Sequence, residues 1–316
     1  MNVRRRDFLS LVTLVATAAA AAAATPAAGQ AVRPAVPANS SATQIAASIP
    51  DFSGIWVHPY FPGIEPPASG PGPVLNKTRR PDGGNNPRVM VGDYSNPILK
   101  LQAAATVKRL GEISLSGTVY PTPSTLCWPS GVPYIFFQIG VQILQQPDQV
   151  TILYLRDHEV RYVRLNQPHP ARVRPSWYGD SVGHYEGDTL VIDTVGVRTD
   201  RPVAMVDMYG TPYSPALHVI ERYRLIDYDA FKIAIERTRK ENVKIPELDF
   251  DPSYRGKHLQ LVFTVEDDGV FTMPWSGTIT YARPVREWEE HVCPESTHDF
   301  FTGEDIAVPR AGKPDF

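Results

Sequence analysis

The run Ser181-Val182-Gly183-His184-Tyr185-Glu186-Gly187-Asp188-Thr189-Leu190-Val191-Ile192-Asp193-Thr194-Val195 reads as two short strands about a tight turn. Glu-Gly-Asp is turn chemistry, and the flanking residues are β-branched, aromatic or alternating. The same pattern repeats outward in both directions. Strands are expected at Tyr134–Leu144, Gln149–Leu155, Glu159–Leu165, Ser181–Glu186 and Thr189–Val195, then at Leu217–Leu225, Phe231–Arg239, His258–Val265 and Thr278–Tyr281. Turn signals separate them: Pro147-Asp148, Asp157-His158, Asp227–Asp229 and Asp267-Asp268-Gly269. Short strands at this spacing imply a mainly β chain, folded as an antiparallel barrel or sandwich.

Upstream, the folded part is expected to begin at Asp51-Phe52-Ser53-Gly54-Ile55-Trp56-Val57, a short strand. Residues 58–94 are dense in Pro and Gly, and an irregular stretch of this length is either functional or wrapped on a surface. One helix is signalled over 97–110. Ser95 or Asn96 caps it, Pro97 sits in its first turn, Ile98, Leu101 and Ala105 mark one face, and Gly111 ends it. The barrel domain is thus expected over 51–286, with a polar, Pro/Gly-rich tail over 287–316. With 31 prolines in 316 residues, helices and central strands are interrupted often.

The N-terminus predicts export. Arg4-Arg5-Arg6-Asp7-Phe8-Leu9-Ser10 precedes an alanine-heavy apolar run from Leu11 to Ala24, and small residues offer cleavage after Ala24 or Gly29. These are the parts of a secretory signal with a twin-arginine pattern, placing a signal peptide over 1–29 and a linker over 30–50. The apolar run is at the short end for a membrane span of ~20 residues, and no anchor is expected after processing. The partners so implied are the twin-arginine export machinery and signal peptidase, and the destination is the periplasm or the medium. Loss of three arginines and one aspartate takes the formal charge from −3 to −5. A mildly acidic chain without basic runs has no footprint for nucleic acid or anionic lipid. In an oxidising compartment Cys127 and Cys293 are candidates for one disulfide, the alternative being two buried thiols.

Strand alternation sorts the polar residues. Glu221 shares a face with Leu217, Val219, Tyr223 and Leu225; Asp193 shares one with Val191 and Val195; His184 and Glu186 point the same way. All four are expected on or near buried faces, and inward polar groups in a barrel suggest a ligand cavity. His169, held between Pro168 and Pro170, joins them as a site candidate. The catalytic candidates are therefore His169, His184, Glu186, Asp193 and Glu221. The substrate-binding candidates are Trp177, Tyr178, Tyr185, His218, Arg222 and Trp275. Each has a structural alternative: Glu186 as hairpin chemistry, Glu221 paired with Arg222 or Arg237, Asp193 bonded to loop backbone, the histidines at a rim, the aromatics in the core. No zinc-ligand spacing, dinucleotide fingerprint, phosphate loop or nucleophile elbow occurs, so no metal or cofactor is predicted.

The segment Pro175-Ser176-Trp177-Tyr178-Gly179-Asp180-Ser181-Val182-Gly183-His184-Tyr185-Glu186-Gly187-Asp188-Thr189-Leu190-Val191-Ile192-Asp193-Thr194 resembles the signature of an uncharacterised family of exported bacterial proteins, with Tyr185 where that family carries Trp. The likeness extends to His218-Val219-Ile220-Glu221-Arg222-Tyr223 and Phe271-Thr272-Met273-Pro274-Trp275, and it brings no activity with it. Gly54-Ile55-Trp56 resembles the opening strand of lipocalin-like barrels, which implies a calycin-type barrel around a small-molecule cavity. Three functions follow as expectations. The first is metal-independent general acid/base catalysis (lyase, isomerase or hydrolase) on a partly apolar organic molecule, with Glu221 or Asp193 as a tuned acid and His169 or His184 moving the second proton. The second is a non-catalytic binding protein in which Arg222 or Arg224 neutralises an acidic ligand. The third is an exported metal- or cofactor-bearing protein.

Overall fold

The hairpin that opens the sequence reading forms the middle of a nine-stranded sheet. The computed structural model describes residues 49–58, 64–86, 88–241, 250–285, 291–293, 299 and 301–304. The signal peptide, nearly all of the linker and most of the expected tail lie outside them. The strands are β1 (Gly54–Val57), β2 (Gly140–Gln145), β3 (Gln149–Tyr154), β4 (Val160–Leu165), β5 (Asp180–Glu186), β6 (Thr189–Val195), β7 (His218–Ile226), β8 (His258–Glu266) and β9 (Trp275–Tyr281). Each pairs with the next in chain order. Val57 and Ala282 exchange backbone hydrogen bonds of 2.9 and 2.8 Å, bringing the two edges together into a nearly closed barrel. Arg283 secures that seam: its guanidinium donates to the carbonyls of Ser53 and Ile55 and lies 3.5 Å from the centre of the Trp56 ring.

Four expectations are corrected. Residues Tyr134–Phe137 form a short 3-10 helix, and the strand after them begins only at Gly140. The barrel is antiparallel except between β4 and β5, which run parallel with Val163 opposite Ser181. A parallel pair needs a long crossover, and residues 166–179 supply it with the prolines that flank His169. Phe231–Arg239, read as a strand, is a helix. It lies within the α-helix Tyr228–Glu241, which buries Phe231, Ala234 and Ile235 while Ile233 is 58% exposed. That is i, i+3, i+4 spacing; the β-branched run masked it. The helix expected over 97–110 spans Leu101–Leu115 (α1), and Tyr228–Glu241 is α2.

In α1 the buried face is Ala103, Val107, Leu110 and Gly111, while Leu101 is 92% exposed. Asn96 bonds the Ile98 amide in a turn upstream instead of capping the helix. Gly111 lies inside α1, where a Cβ would sit 3.0 Å from the Val91 side chain. Glycine is there for close approach. The described part of the irregular stretch wraps the barrel: the Glu65 segment pairs with Thr278 on the β9 edge, and buried Asn76 ties Thr78, Asn85, Asn86, Val89 and Val91 together.

Every strand turns one row of side chains inward, and these fill the barrel. Trp56, Val141, Ile143, Ile152, Val163 and Leu190 are among the buried residues of one continuous core with Val219, Leu261, Phe263 and Tyr281. Within the compact unit that contains all described residues, Gln44–Phe316, this core is the main hydrophobic mass.

Candidate functional site

Of the four acidic and basic groups assigned to buried faces, Glu221 alone points into the barrel. It is fully buried on β7, opposite Ile192 and Phe263. Its partner is Arg161 on β4, also buried, and not Arg222 or Arg237, which pair with Glu186 and Glu65. Arg161 Nη1 donates to Glu221 Oε2 at 3.1 Å and Nη2 to Oε1 at 2.7 Å, a two-pronged bond. The Tyr223 hydroxyl donates to Oε2 at 3.0 Å, and Thr194 Oγ1 lies 3.4 Å from Oε1. Arg161 also donates to Ser181 Oγ, Thr194 Oγ1 and the Tyr154 hydroxyl. Burial pushes the Tyr154 phenol up to about 12, so it keeps its proton. The alternation Arg161, Val163, Leu165 carried the signal for this partner, since it sets an arginine among inward apolar residues.

This explains the hairpin signature. Ser181 and Thr194, directly opposite one another on β5 and β6, solvate Arg161. Gly183 lets β4 and β5 meet, since a Cβ would sit 2.9 Å from both the Val163 side chain and the Val191 carbonyl. Gly179 has φ +73°, and Gly187, φ +60°, opens the two-residue turn between β5 and β6.

Asp193, His184 and Glu186 lie on the opposite, outer face. His184 and Glu186 are about half exposed and bonded to each other at 3.0 Å, with Arg222 Nη1 on Glu186 at 2.6 Å. The Arg222 contact, followed by that of His184, holds the Glu186 carboxyl below its ordinary range. Asp193 belongs to a chain of charges that sequence reading recovered only in part. Register sets Asp180, Val195, His218 and Glu266 in one row across β5 to β8, with Asp193 two residues along β6 from Val195. Arg164 grips Asp180 with two bonds of 2.9 Å. His169, brought over the sheet by the crossover, has Nδ1 2.6 Å from Asp180 and Nε2 2.9 Å from Asp193. His218 has Nε2 2.9 Å from Asp193 and Nδ1 3.0 Å from Glu266. Hydrogen bonding to Asp193 raises His218 to about 9. Burial pulls the Asp193 carboxyl up, but the bonds to His218 and His169 outweigh it and hold it low. Asp193 is therefore the reverse of an acid with a raised pKa. Arg164, Asp180 and Glu266 were missed because they flank strand ends, where alternation reads as ordinary surface.

The aromatics divide. Trp275 is core, edge-on to Phe263 and Phe271. Tyr185 points inward at the barrel rim, where its hydroxyl accepts from Gln145. Trp177 lies outside beside Trp128, with Arg198 and Arg201 over it at 4.8 and 5.4 Å. Tyr178 bonds Glu159, a buried carboxyl that sequence reading placed at the start of a strand and did not single out. Burial pushes Glu159 up to about 7 against the bonds from the Ser130 amide and Gln138.

Cys127 and Cys293 form a disulfide across 166 residues of chain. Next to it Arg156 Nη2 donates to Cys293 Sγ and to the Ser124 carbonyl. Arg156 and Ser124 also line a cleft of about 380 Å³, which lies outside the barrel. Its other walls come from the C-terminal end of α1 (Ser114), the segment 117–125, Arg88, Met90 and Met208. None of the residues named from sequence lines it. Among the described residues no three His, Cys, Asp or Glu side chains are arranged to hold a metal ion, and no helix is long and apolar enough to cross a membrane. No family model, curated protein or solved structure matches the chain.

Proposed function

We propose that this chain is an exported small-molecule binding protein whose ligand occupies the 380 Å³ cleft beside α1, while the His, Asp and Glu groups of the barrel hold the fold. One observation carries the reading: most of the polar groups nominated from sequence are already engaged within the protein. Both nitrogens of His169 and of His218 face carboxylates, and both oxygens of Glu221 accept from buried donors. A general base needs a lone pair within reach of its substrate; those of His169 and Glu221 are turned to partners inside the protein, and His184, about half exposed on the outer face with Nε2 on Glu186, does not line the cleft. The cleft, by contrast, falls in the ~300–1,000 Å³ range of small-ligand sites and is open to solvent. The disulfide is of the kind that persists in oxidising compartments, which supports export together with the N-terminal twin arginines.

The test is a thermal-shift screen of small organic molecules against the full chain, repeated with Val119→Trp, which fills the cleft from an exposed position. Ligands in ~100-fold excess over Kd stabilise by about 2.7 kcal/mol. Hits that stabilise the parent, fail with Val119→Trp and are recovered chemically unchanged are the expected result. A hit consumed on incubation, with consumption abolished by His169→Gln, restores the acid/base enzyme. Hits indifferent to Val119→Trp move the site elsewhere.

A further inference from the structure

We propose that the cleft selects an anionic amphiphile: one carboxylate, sulfate or phosphate head on a medium-length apolar body. This rests on the cleft being the ligand site, and it adds the chemistry of the occupant.

Two arginines, Arg88 and Arg156, line the cleft, and none of its lining residues is Asp or Glu. That is a cationic site on a chain whose formal charge is −3. Arg88 is exposed and has no ion-pair partner among the described residues. Arg156 is held in place by Nη2, bonded to Ser124 and Cys293, and its Nε forms an ion pair with Asp157 at 3.4 Å, so the uncompensated charge of the cleft is that of Arg88. Its Nη1 makes no hydrogen bond among the described residues. A guanidinium anchored on one side and open on the other is preorganised for an anionic head.

Met90 and Met208 are thioethers that repack around irregular shapes. Val119 is 62% exposed, and burying it under a hydrocarbon is favourable. The hydroxyls give the cleft a polar side. Ser114 accepts from the Met90 amide, Thr118 from Ser116, and Ser124 from Tyr134, while Thr122 and Thr125 bond each other. Thr122 and Thr125 also donate within their own turn, whereas Ser114, Thr118 and Ser124 only accept and keep an O–H to offer the oxygens of an anionic head.

The experiment is isothermal titration calorimetry on the full chain with decanoate, decyl sulfate, decanol and decyltrimethylammonium, each below its aggregation limit. Decanoate and decyl sulfate are expected to bind, with decanol at least about tenfold weaker, the equivalent of ~1.4 kcal/mol, and the cation not at all. Arg88→Glu is expected to weaken decanoate by about tenfold or more without moving Tm, and Arg88→Lys to keep most of the affinity. Decanol binding as tightly as decanoate overturns the anionic-head proposal and leaves the cleft as the site, provided Val119→Trp blocks it. Binding of decanoate that neither Arg88→Glu nor Val119→Trp weakens overturns both readings, whereas failure of all four probes overturns the amphiphile proposal alone and leaves the cleft to the thermal-shift screen. Inorganic sulfate competing as well as decyl sulfate overturns the apolar half of the proposal.

Discussion

At the scale of single residues, two charged groups behave in opposite ways. Glu221 and Arg161 are buried together, and removing one leaves the other uncompensated. Glu221→Ala is expected to cost about 3–5 kcal/mol in urea denaturation, whereas Arg161→Met with Glu221→Leu recovers most of that loss. A double variant no more stable than Glu221→Ala would show that the surrounding Ser181, Thr194 and tyrosine hydroxyls, rather than the pair, dominate the site. His218 is on the surface chain and titrates within reach of experiment. Its folded pKa of about 9 lies above its unfolded value of about 6.5. The stability it contributes is therefore complete below pH 6.5 and lost as pH rises through 9. Partial exposure leaves this at about 1–2 kcal/mol. Tm is expected to fall between pH 7 and 10 in the parent and to change less in His218→Gln. Equal slopes in the two would place the titrating group elsewhere.

At the scale of elements, the β5–β6 hairpin and α2 mark where local pattern succeeds and where it misleads. Register, turn and strand ends of the hairpin were legible because one row is apolar and a Glu-Gly-Asp turn sets the pairing. Which row faces the core was not equally legible. Leu190, Ile192 and Thr194 point in, and Val191, Asp193 and Val195 point out beneath the crossover; both rows read as apolar with one polar member. Gly183→Ala pushes a methyl against Val163 and the Val191 carbonyl, and is expected to cost about 1–3 kcal/mol. For α2, Phe231 stacks on His258 at 3.5 Å while Ile233 is exposed. Phe231→Ala is expected to lose about 3–5 kcal/mol, and Ile233→Glu to change stability by less than ~0.5 kcal/mol. A strand would have pointed both side chains the same way, so comparable losses from the two would count against the helix.

At the scale of the whole molecule, two closures matter. The barrel seam depends on one backbone bridge and on Arg283 over Trp56, and the disulfide ties the 291–293 segment to the loop beside the cleft. Replacing both cysteines with serine releases a loop whose entropy the chain model sets at roughly 5 kcal/mol, an upper figure. Tm should fall in Cys127→Ser/Cys293→Ser, and the fall should match that of the parent under reductant. If the parent loses nothing on reduction, the bridge is not what holds this face.

The mainly β class, the hairpin at 181–195 and the inward Glu221 were written in local residue pattern, because period-two alternation and turn chemistry act over a few residues. Tertiary structure alone decided the rest. The partner of Glu221 is 60 residues away in sequence and depends on barrel register. The His169–Asp193–His218 chain requires a crossover to carry His169 across a parallel step. The cleft is made of residues from five separate stretches, none of which looks like a site by itself. Alternation tells which residues share a face; only the closed sheet and what wraps it tell which face is inside, and which polar atoms are left open to a ligand.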